Sequence, residues 1–257
     1  MNNPELSTDQ LSRYSRHILL PEIDIEGQEN LQASSVTLIG AGGLGSPAAM
    51  YLASSGVGRI TIFDHDQIDV GNLQRQIAYK TKDIGHQKAQ QLKNCLSDIN
   101  PEIKIEAYNT KATQQTLTAH APDTDVIIDA SDNFATRFIL NKTSLATSTP
   151  LISGAAISFA GQATVFDPAT ATSPCYHCLY TEEDYLPQDT CRDHGVFAPL
   201  TGIIGSILAA EAIKFITNKD TCLIGRLLLF NAKSMTSKTV KLPKDPLCPA
   251  CGNSAAR

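Results

Sequence analysis

Short apolar runs alternate with segments of helical composition over residues 35–150 of the chain. Four of these runs predict buried β-strands, because they are rich in apolar and β-branched residues. They are Val36–Gly40, Arg59–Phe63, Ile103–Tyr108 and Val126–Asp129. Helices are predicted between and after these runs, over residues 46–55, 88–99 and 134–147. Strands that alternate with helices favour a parallel sheet with right-handed crossovers.

The pattern changes toward both ends of the chain. Spaced apolar positions over residues 5–34 predict an N-terminal helical arm. From about residue 151, strands and a long loop precede an apolar helix near 199–217, and further strands are predicted at 226–231 and 238–242. The fold class that follows is α/β, with a Rossmann-like, mixed and largely parallel sheet and helices on both faces.

A glycine-rich turn joins the first predicted strand to the first predicted helix. Its sequence, Gly40-Ala41-Gly42-Gly43-Leu44-Gly45, fits G-x-G-x-x-G. We expect Ser46 to cap the following helix and Pro47 to occupy its first position. Asp64 ends the second strand, where a carboxylate can accept hydrogen bonds from a ribose. These features predict a nucleotide site, but NAD or FAD fits them as well as ATP does.

Charged and amide side chains further along the chain favour a triphosphate. The segment Asn72-Leu73-Gln74-Arg75-Gln76 follows the second strand, and Lys88 opens the next helix. Arginine offers a bidentate fork to phosphate oxygens, and lysine offers a movable charge. Asp132 and Asn133 follow the strand that ends at Asp129, where ligands bind in open α/β sheets, and a carboxylate there suits Mg²⁺.

Composition and charge narrow the class of protein. The chain has 257 residues, 42% of them hydrophobic and 18% charged, which is enough apolar content for a buried core. A formal net charge of −5 argues against broad nucleic-acid binding. Glu211 and Lys214 interrupt the longest apolar stretch, so a buried or interface helix is expected there and not a membrane span. Seven cysteines, with no stretch typical of a signal peptide, favour the cytoplasm.

Four of the cysteines form two C-x-x-C pairs. Because four thiolates suit tetrahedral zinc, Cys175, Cys178, Cys248 and Cys251 predict a closed, structural Zn²⁺ site that staples the C-terminal strands to the 175–180 loop. The alternative is that one pair is a redox dithiol, although neither pair has a thioredoxin-like strand-to-helix context. Cys191 lies in a polar stretch beside Arg192 and His194, which could lower its pKa. An inert exposed thiol is the other interpretation of Cys191.

Together these segments resemble one family over almost the whole chain, the ubiquitin-activating-like adenylyltransferases of the MoeB/ThiF/HesA group. The matching segments are Arg13-Tyr14-Ser15-Arg16, the Gly40–Gly45 loop, Asn72–Gln76, Ser131-Asp132-Asn133, Gly154-Ala155-Ala156 and both cysteine pairs. The resemblance implies an enzyme that uses ATP to adenylate the C-terminal Gly-Gly carboxylate of a small ubiquitin-like sulfur-carrier protein.

The resemblance also implies roles for particular residues. Asp132 would bind Mg²⁺, Arg16 would reach the partner subunit's site in a homodimer, and Cys191 could carry a covalent link to the carrier. The ATP site would comprise Gly40, Gly42, Gly43, Gly45, Asp64, Asn72, Leu73, Gln74, Arg75, Lys88, Asp132 and Asn133. One domain over 1–257 is expected, with a helical arm, a nucleotide-binding half and a half for carrier and zinc (1–34, 35–150, 151–257).

Several alternatives remain open from the sequence. The segment Ile152–Ala156 favours the small subunit of molybdopterin synthase as the carrier, whereas Arg13–Arg16 and Cys191 fit a thiamine-pathway carrier, and a tRNA-thiolation carrier is a third possibility. The few residues after Cys251 leave no space for a sulfurtransferase domain, so a separate sulfur donor is expected. Different classes are an NAD- or FAD-dependent oxidoreductase, which the glycine loop alone would fit, and a non-catalytic partner of an activating enzyme.

Overall fold

A single mixed sheet of eight strands forms the centre of the molecule. The structure is a computed structural model, and it describes residues 5–120, 123–181, 195–217 and 222–252. In this part of the chain the strand order is β3-β2-β1-β4-β5-β6-β7-β8. The strands are β1 Ser35–Ile39, β2 Arg59–Phe63, β3 Lys104–Tyr108, β4 Val126–Asp129, β5 Leu151–Ile157, β6 Ala160–Phe166, β7 Arg226–Asn231 and β8 Thr236–Lys241.

The first five strands of that order are parallel, and the rest are antiparallel. Helices cover the sheet and connect its parallel strands. They are α1 Thr8–Arg13, α2 Ser15–Ile18, α3 Asp24–Ala33, α4 Gly45–Ser54, α5 Lys88–Ile99, α6 Gln114–His120, α7 Phe134–Thr147, α8 Tyr176–Leu179 and α9 Ala198–Thr217. The predicted fold class, a Rossmann-like and largely parallel sheet, is therefore confirmed.

The parallel strands are buried on both faces, which explains their continuous apolar runs. Leu38 and Ile39 are neighbours in β1 and point to opposite faces of the sheet. Leu38 joins the larger core cluster, which includes Leu52 of α4 and Ile204 of α9. Ile39 joins the smaller cluster on the other face, together with residues of β2, α7 and α8. The two apolar faces fix the strand register, because a shift of one residue would exchange them.

Helix α9 is the apolar helix that the sequence predicts. By length and composition it is long and apolar enough to cross a membrane, and the share of its apolar window that is buried within the protein is 44%. It packs against α4, β5 and β6. Two glycines of the sheet allow this close approach, since a Cβ on Gly154 would lie 2.9 Å from Leu208, and one on Gly161 would lie 2.5 Å from Ile204. Its apolar composition therefore reflects packing in the core.

The N-terminal helical arm that the sequence predicts consists of three short helices, α1, α2 and α3. One detail differs from the sequence-based expectation. The first helix after the glycine turn begins at Gly45, with Leu44 as the N-cap residue and no side-chain cap. Ser46 is thus inside the helix, and its hydroxyl donates to the Gly42 carbonyl at 2.8 Å. The predicted cap at Ser46 was wrong because the glycine turn itself runs directly into the helix.

Candidate nucleotide cavity and four-cysteine cluster

A cavity of about 540 Å³ opens at the carboxyl ends of β1, β2 and β4. In open α/β sheets this is the edge at which ligands bind. Most of the residues that the sequence predicts for the ATP site line it: Gly40, Gly42, Gly43, Asp64, Asn72, Arg75, Lys88, Asp132 and Asn133. Gly45 lies at the start of α4, and Gln74 lines an adjoining cavity of about 490 Å³. Leu73 packs against the core and is not among the described residues that line either cavity.

The glycine loop has no space for side chains at two of its positions. Gly40 has φ +94°, and a Cβ there would lie 2.7 Å from the Ala130 carbonyl oxygen. A Cβ on Gly45 would lie 1.8 Å from the carbonyl oxygen of Gly40. The loop therefore folds tightly against the end of β4, and it leads into an α4 N-terminus that lacks a side-chain cap. Backbone N–H groups in this setting are suited to phosphate oxygens.

Asp64 is tied to the glycine loop by its own carboxylate. Oδ2 accepts from the Ala41 N–H at 2.7 Å, and Oδ1 accepts from the Asp66 N–H at 2.8 Å. Burial raises the pKa of Asp64 above its ordinary value, and these two hydrogen bonds oppose the shift. Tyr79 contacts the other backbone polar group of Ala41, since its hydroxyl donates to the Ala41 carbonyl at 2.6 Å. The loop and the carboxylate form one rigid unit.

Both predicted cations reach the cavity. Lys88 is only 6% exposed, and its Nζ lies 2.9 Å from Oδ2 of Asp66. Arg75 is partly buried, and its Nη1 donates to the Gly71 carbonyl at 3.1 Å. Asn72 closes the turn that carries Arg75, because its Oδ1 accepts from the Asp69 N–H at 3.2 Å. These two positive charges thus line the same cavity as the glycine loop, an arrangement that suits the binding of a polyphosphate.

The turn after β4 places Asp132 at the cavity with an exposed side chain. The next residue, Asn133, caps α7 by accepting from the Thr136 N–H at 2.9 Å. The turn is braced from below by Asp129, which accepts from the Ser131 N–H at 3.0 Å. Asn133 Nδ2 donates to Oδ1 of Asp132 at 3.4 Å. An exposed carboxylate at a cavity that two cations also line fits a Mg²⁺ ligand that also contacts phosphates.

The residues of this site that were not predicted from the sequence include Asp66, which pairs with Lys88, and Tyr79, which supports the loop. They also include two further cations that line the cavity, Lys111 and Arg137. Arg137 is 8% exposed, donates to the Ser131 carbonyl at 2.9 Å and forms an ion pair with Asp129 at 3.8 Å. A carboxylate two residues after Asp64 and an arginine one turn into a capped helix were the available signals.

The four paired cysteines converge into one cluster. The sulfur atoms of Cys175, Cys178, Cys248 and Cys251 all lie within 4.8 Å of one another. Sγ of Cys175 is 3.7 Å from that of Cys248, and Sγ of Cys178 is 3.5 Å from that of Cys251. These distances exclude disulfide bonds, whose sulfurs are about 2 Å apart. A tetrahedral metal with bonds of about 2.3 Å to sulfur would separate the sulfurs by about 3.8 Å. The cluster can therefore hold a metal ion.

Polar hydrogens also point at the cluster. The Cys175 and Asp245 N–H groups donate to Sγ of Cys178, at 3.4 Å and 3.5 Å. The Asn141 side chain donates to Sγ of Cys175 at 3.7 Å. Such donors stabilise thiolates, which are the form that binds metal. Burial raises the pKa of Cys175 to about 11, because a buried negative charge is unfavourable. A Cys175 thiolate is therefore favoured here only when a bound cation neutralises its charge.

Two predicted residues stand apart from these sites. Arg16 is exposed on α2 and is not among the described residues that line the cavity. Cys191, with Arg192 and His194, lies outside the described residues. Cys95 and Cys222 are not members of the four-cysteine cluster, and Cys222 is buried beside Glu211 in the core.

The fold and the site define a class of α/β protein with a nucleotide-type cavity and a separate four-cysteine cluster. Comparison with known proteins identifies its family. A model of the ThiF family matches residues 14–250. The chain therefore belongs to the ThiF family.

Relatives in this family carry informative names. The chain is 41% identical to the sulfur carrier protein ThiS adenylyltransferase of Escherichia coli, over 95% of this chain and 96% of that protein. It is 38% identical to the sulfur carrier protein adenylyltransferase of Thermus thermophilus, over 95% and 92%. It is 39% identical to the adenylyltransferase and sulfurtransferase MOCS3 of Anopheles gambiae. That alignment covers 97% of this chain but only 57% of the MOCS3 protein. The prediction of an adenylyltransferase is confirmed at the level of the family.

A solved structure supports the same fold. Escherichia coli MccB with succinimide superposes with a TM-score of 0.81 at 25% sequence identity, covering 94% of this chain and 74% of that one. The similarity covers nearly the whole chain, and it therefore supports the fold described above.

Proposed function

We propose that this chain uses ATP to adenylate the C-terminal carboxylate of a small ubiquitin-like sulfur-carrier protein that ends in Gly-Gly. The observation that carries the proposal is the composition of the cavity at the carboxyl ends of the parallel strands. It combines a glycine loop, the ribose-type acceptor Asp64, the cations Arg75 and Lys88, and the exposed carboxylate of Asp132. A nicotinamide or flavin needs no such set of phosphate ligands, which disfavours an oxidoreductase.

The names of the relatives support the carrier as the substrate. The proteins from Escherichia coli and Thermus thermophilus are named for adenylylation of sulfur carriers. A Haloferax volcanii relative, 40% identical to this chain, is named a SAMP-activating enzyme E1. A non-catalytic partner of an activating enzyme is disfavoured because no cation or carboxylate of the predicted ATP site is missing from this sequence.

The chemistry requires positioning and charge neutralisation more than a protein nucleophile. A carboxylate oxygen of the carrier attacks the α-phosphorus of ATP, the bond from that phosphorus to the bridging oxygen breaks, and pyrophosphate leaves with the bonding electrons. Arg75 and Lys88 would offset the charge on the transferring and leaving groups, with Arg16 from the partner subunit of a homodimer. Asp132 would hold Mg²⁺, which would neutralise phosphate charge when bound. The product is an acyl-adenylate ready for sulfur from a separate donor.

The remaining assignments belong to the same proposal. Zinc is the metal best suited to four thiolates with tetrahedral spacing, and a closed site of this kind is structural. We infer one domain in which residues 35–150 bind the nucleotide and residues 151–257 bind the carrier and zinc. A cytoplasmic location and homodimerisation through the Arg16 arm remain predictions, as does a covalent role for Cys191.

ATP–pyrophosphate exchange, measured with purified protein and a panel of carriers, tests the proposal. We expect exchange that depends on one carrier and is lost when the terminal glycine of that carrier is deleted. Tight NAD(H) binding without exchange by any carrier would contradict the proposal.

The same panel identifies the carrier. We favour the small subunit of molybdopterin synthase, on the Ile152–Ala156 segment, and the Escherichia coli relative keeps a thiamine-pathway carrier as the alternative. The ratio of kcat/KM between the carriers decides between them, with a tRNA-thiolation carrier as the third member of the panel.

A further inference from the structure

Helix α7 connects the nucleotide cavity to the four-cysteine cluster. Its N-cap, Asn133, belongs to the turn that presents Asp132 to the cavity. Further along the same helix, Asn141 contacts the cysteine cluster. The two sites therefore share one rigid element.

The cavity end of α7 is held by Arg137. This buried side chain donates to the Ser131 carbonyl at 2.9 Å and to the Gly154 carbonyl at 3.4 Å. It also lies 3.8 Å from the carboxylate of Asp129, which accepts from the Ser131 N–H. Arg137 thus holds the Ser131 carbonyl directly, and it holds the Ser131 N–H indirectly, through its ion pair with Asp129.

The cluster end of α7 is held by Asn141, which is only 1% exposed. Its Oδ1 accepts from the Tyr176 N–H at 2.8 Å, and its Nδ2 donates to Sγ of Cys175 at 3.7 Å. Asn141 lies four residues after Arg137, so the two side chains project from the same face of the helix. The Asn141 amide therefore contacts both the backbone and a sulfur of the segment Cys175–Cys178, which we call the cysteine knuckle.

Aromatic packing clamps the same face. The Tyr176 ring meets Phe138 of α7 edge to face at 5.5 Å, and Tyr180 meets Phe134 in the same way at 5.5 Å. His177 lies 4.6 Å from Phe138. The short helix α8, which contains Cys178 and has Cys175 as its N-cap residue, therefore rests on the first two turns of α7. A change in the geometry of the knuckle must move α7 or break these contacts.

We propose that the metal centre positions the Ser131–Asn133 turn through α7, with Asn141 as the positioning residue, so that metal and magnesium–ATP bind with positive coupling. This inference rests on the proposed function, because it takes ATP as the ligand of the cavity and a metal as the ligand of the cysteines. It gives the metal centre a part in nucleotide binding beyond fastening the C-terminal strands.

The test measures coupling in both directions, because linkage requires the two effects to be equal. The affinity of a non-hydrolysable ATP analogue with Mg²⁺ is measured by calorimetry on the metal-loaded and the metal-free protein. Retention of the metal against a chelator is measured with and without the analogue. We expect each ligand to tighten the other by the same factor, about fivefold or more. Metal retention that the analogue leaves unchanged, although it binds, would overturn the inference.

Three variants separate a specific connection from general stabilisation. Asn141→Ala removes both contacts; we expect metal retention to fall about 10- to 100-fold and the coupling factor to approach one. Asn141→Asp keeps an acceptor for the Tyr176 N–H and should retain part of the coupling. Thr143→Val is the matched control, since the buried Thr143 hydroxyl donates within α7, to the Ile139 carbonyl at 3.0 Å. Both affinities should stay at the wild-type value.

The outcomes separate this inference from the proposed function. Coupling that arose only from global unfolding of the metal-free protein would persist in Asn141→Ala, so a wild-type coupling factor in that variant overturns the proposal. A wild-type protein that binds no ATP analogue at all would overturn the proposed function, and this inference with it. Exchange activity with normal nucleotide binding but no coupling contradicts the inference alone.

Discussion

The two functional regions of this molecule are built in different ways. At the nucleotide cavity, the polar contacts of the predicted residues span short to moderate separations along the chain: 3 residues between Asn72 and Asp69, 22 between Lys88 and Asp66, and 23 between Asp64 and Ala41. At the four-cysteine cluster, the cysteine pairs come from segments that are far apart, and Cys175 meets Cys248 across a sequence separation of 73 residues. These contacts of the first region are closer in sequence than those of the second, which forms only when two distant segments of the chain meet.

Because of this difference, we expect substitutions in the cavity to reduce activity and substitutions in the cysteine cluster to reduce stability. A cavity side chain such as Asp132 is exposed and contributes little to the core, so its loss should affect chemistry and leave the fold intact. Cys248 is buried and joins the C-terminal segment to the rest of the four-cysteine cluster, so its loss should affect stability first. Variants in each region can therefore test whether the two kinds of site are as different as their construction indicates.

The largest expected effect is on chemistry. Arg75→Ala and Asp132→Ala should each lower carrier-dependent ATP–pyrophosphate exchange by about a thousandfold, because each removes charge stabilisation of the phosphates (about 4 kcal/mol). The melting temperature should stay within 2–4 °C of the wild type, equivalent to about 1 kcal/mol. Lys82→Ala, which removes an exposed cation outside the cavity, is the control and should exchange normally. Exchange at wild-type rates in Asp132→Ala would remove that residue from the site.

The second effect is on stability. Cys248→Ser should abolish stoichiometric zinc and lower the free energy of unfolding by about 3 kcal/mol or more, since loss of a structural metal belongs to the most damaging class of substitution. Metal content by mass spectrometry and chemical denaturation measure both effects. Cys95→Ser removes a thiol outside the cluster and should retain the metal. If Cys248→Ser keeps its zinc and its stability, the cluster is not a structural metal site.

The contrast between local and distant assembly also explains what the sequence could predict. The helices over 88–99 and 134–147 match their predicted bounds, because each combines an apolar face with a clear start or stop. The sequence could place the glycine loop, Asp64 and the Asp132 turn at one cavity, because strand ends in a parallel sheet meet at one edge. Two C-x-x-C pairs carry their ligand spacing within themselves, and so the four-cysteine cluster could also be predicted.

Features that depend on three-dimensional neighbours could not be predicted. Nothing local to Asp66 indicates that it pairs with Lys88, and nothing local to Asn141 indicates that it reaches Cys175. The predicted cap at Ser46 failed for a similar reason. Its residue type favours an N-cap, but the tight glycine turn continues into the helix without one. The tertiary setting overrode the local preference.

The smallest expected effects come from two glycines of α9, the helix that packs against both α4 and the antiparallel strands. A Cβ on Gly205 would lie 2.4 Å from the Leu44 carbonyl oxygen, so Gly205→Ala must displace α9 from the glycine loop. We expect it to lower the free energy of unfolding by about 1–3 kcal/mol and to weaken binding of an ATP analogue. Differential scanning calorimetry and nucleotide titration measure the two effects.

Gly202 supplies the matched control, because a Cβ there meets no atom within 4 Å. Gly202→Ala should raise the free energy of unfolding by about 0.5–1 kcal/mol, since alanine restricts the unfolded chain and favours the helix. Its nucleotide affinity should not change. Opposite signs for two identical substitutions on one helix would show that the close contact at Gly205, and not helix propensity, links the core helix to the glycine loop. If both variants gain stability, α9 can move away from the glycine loop without a cost in free energy. The contact between Gly205 and Leu44 would then not constrain the position of the loop.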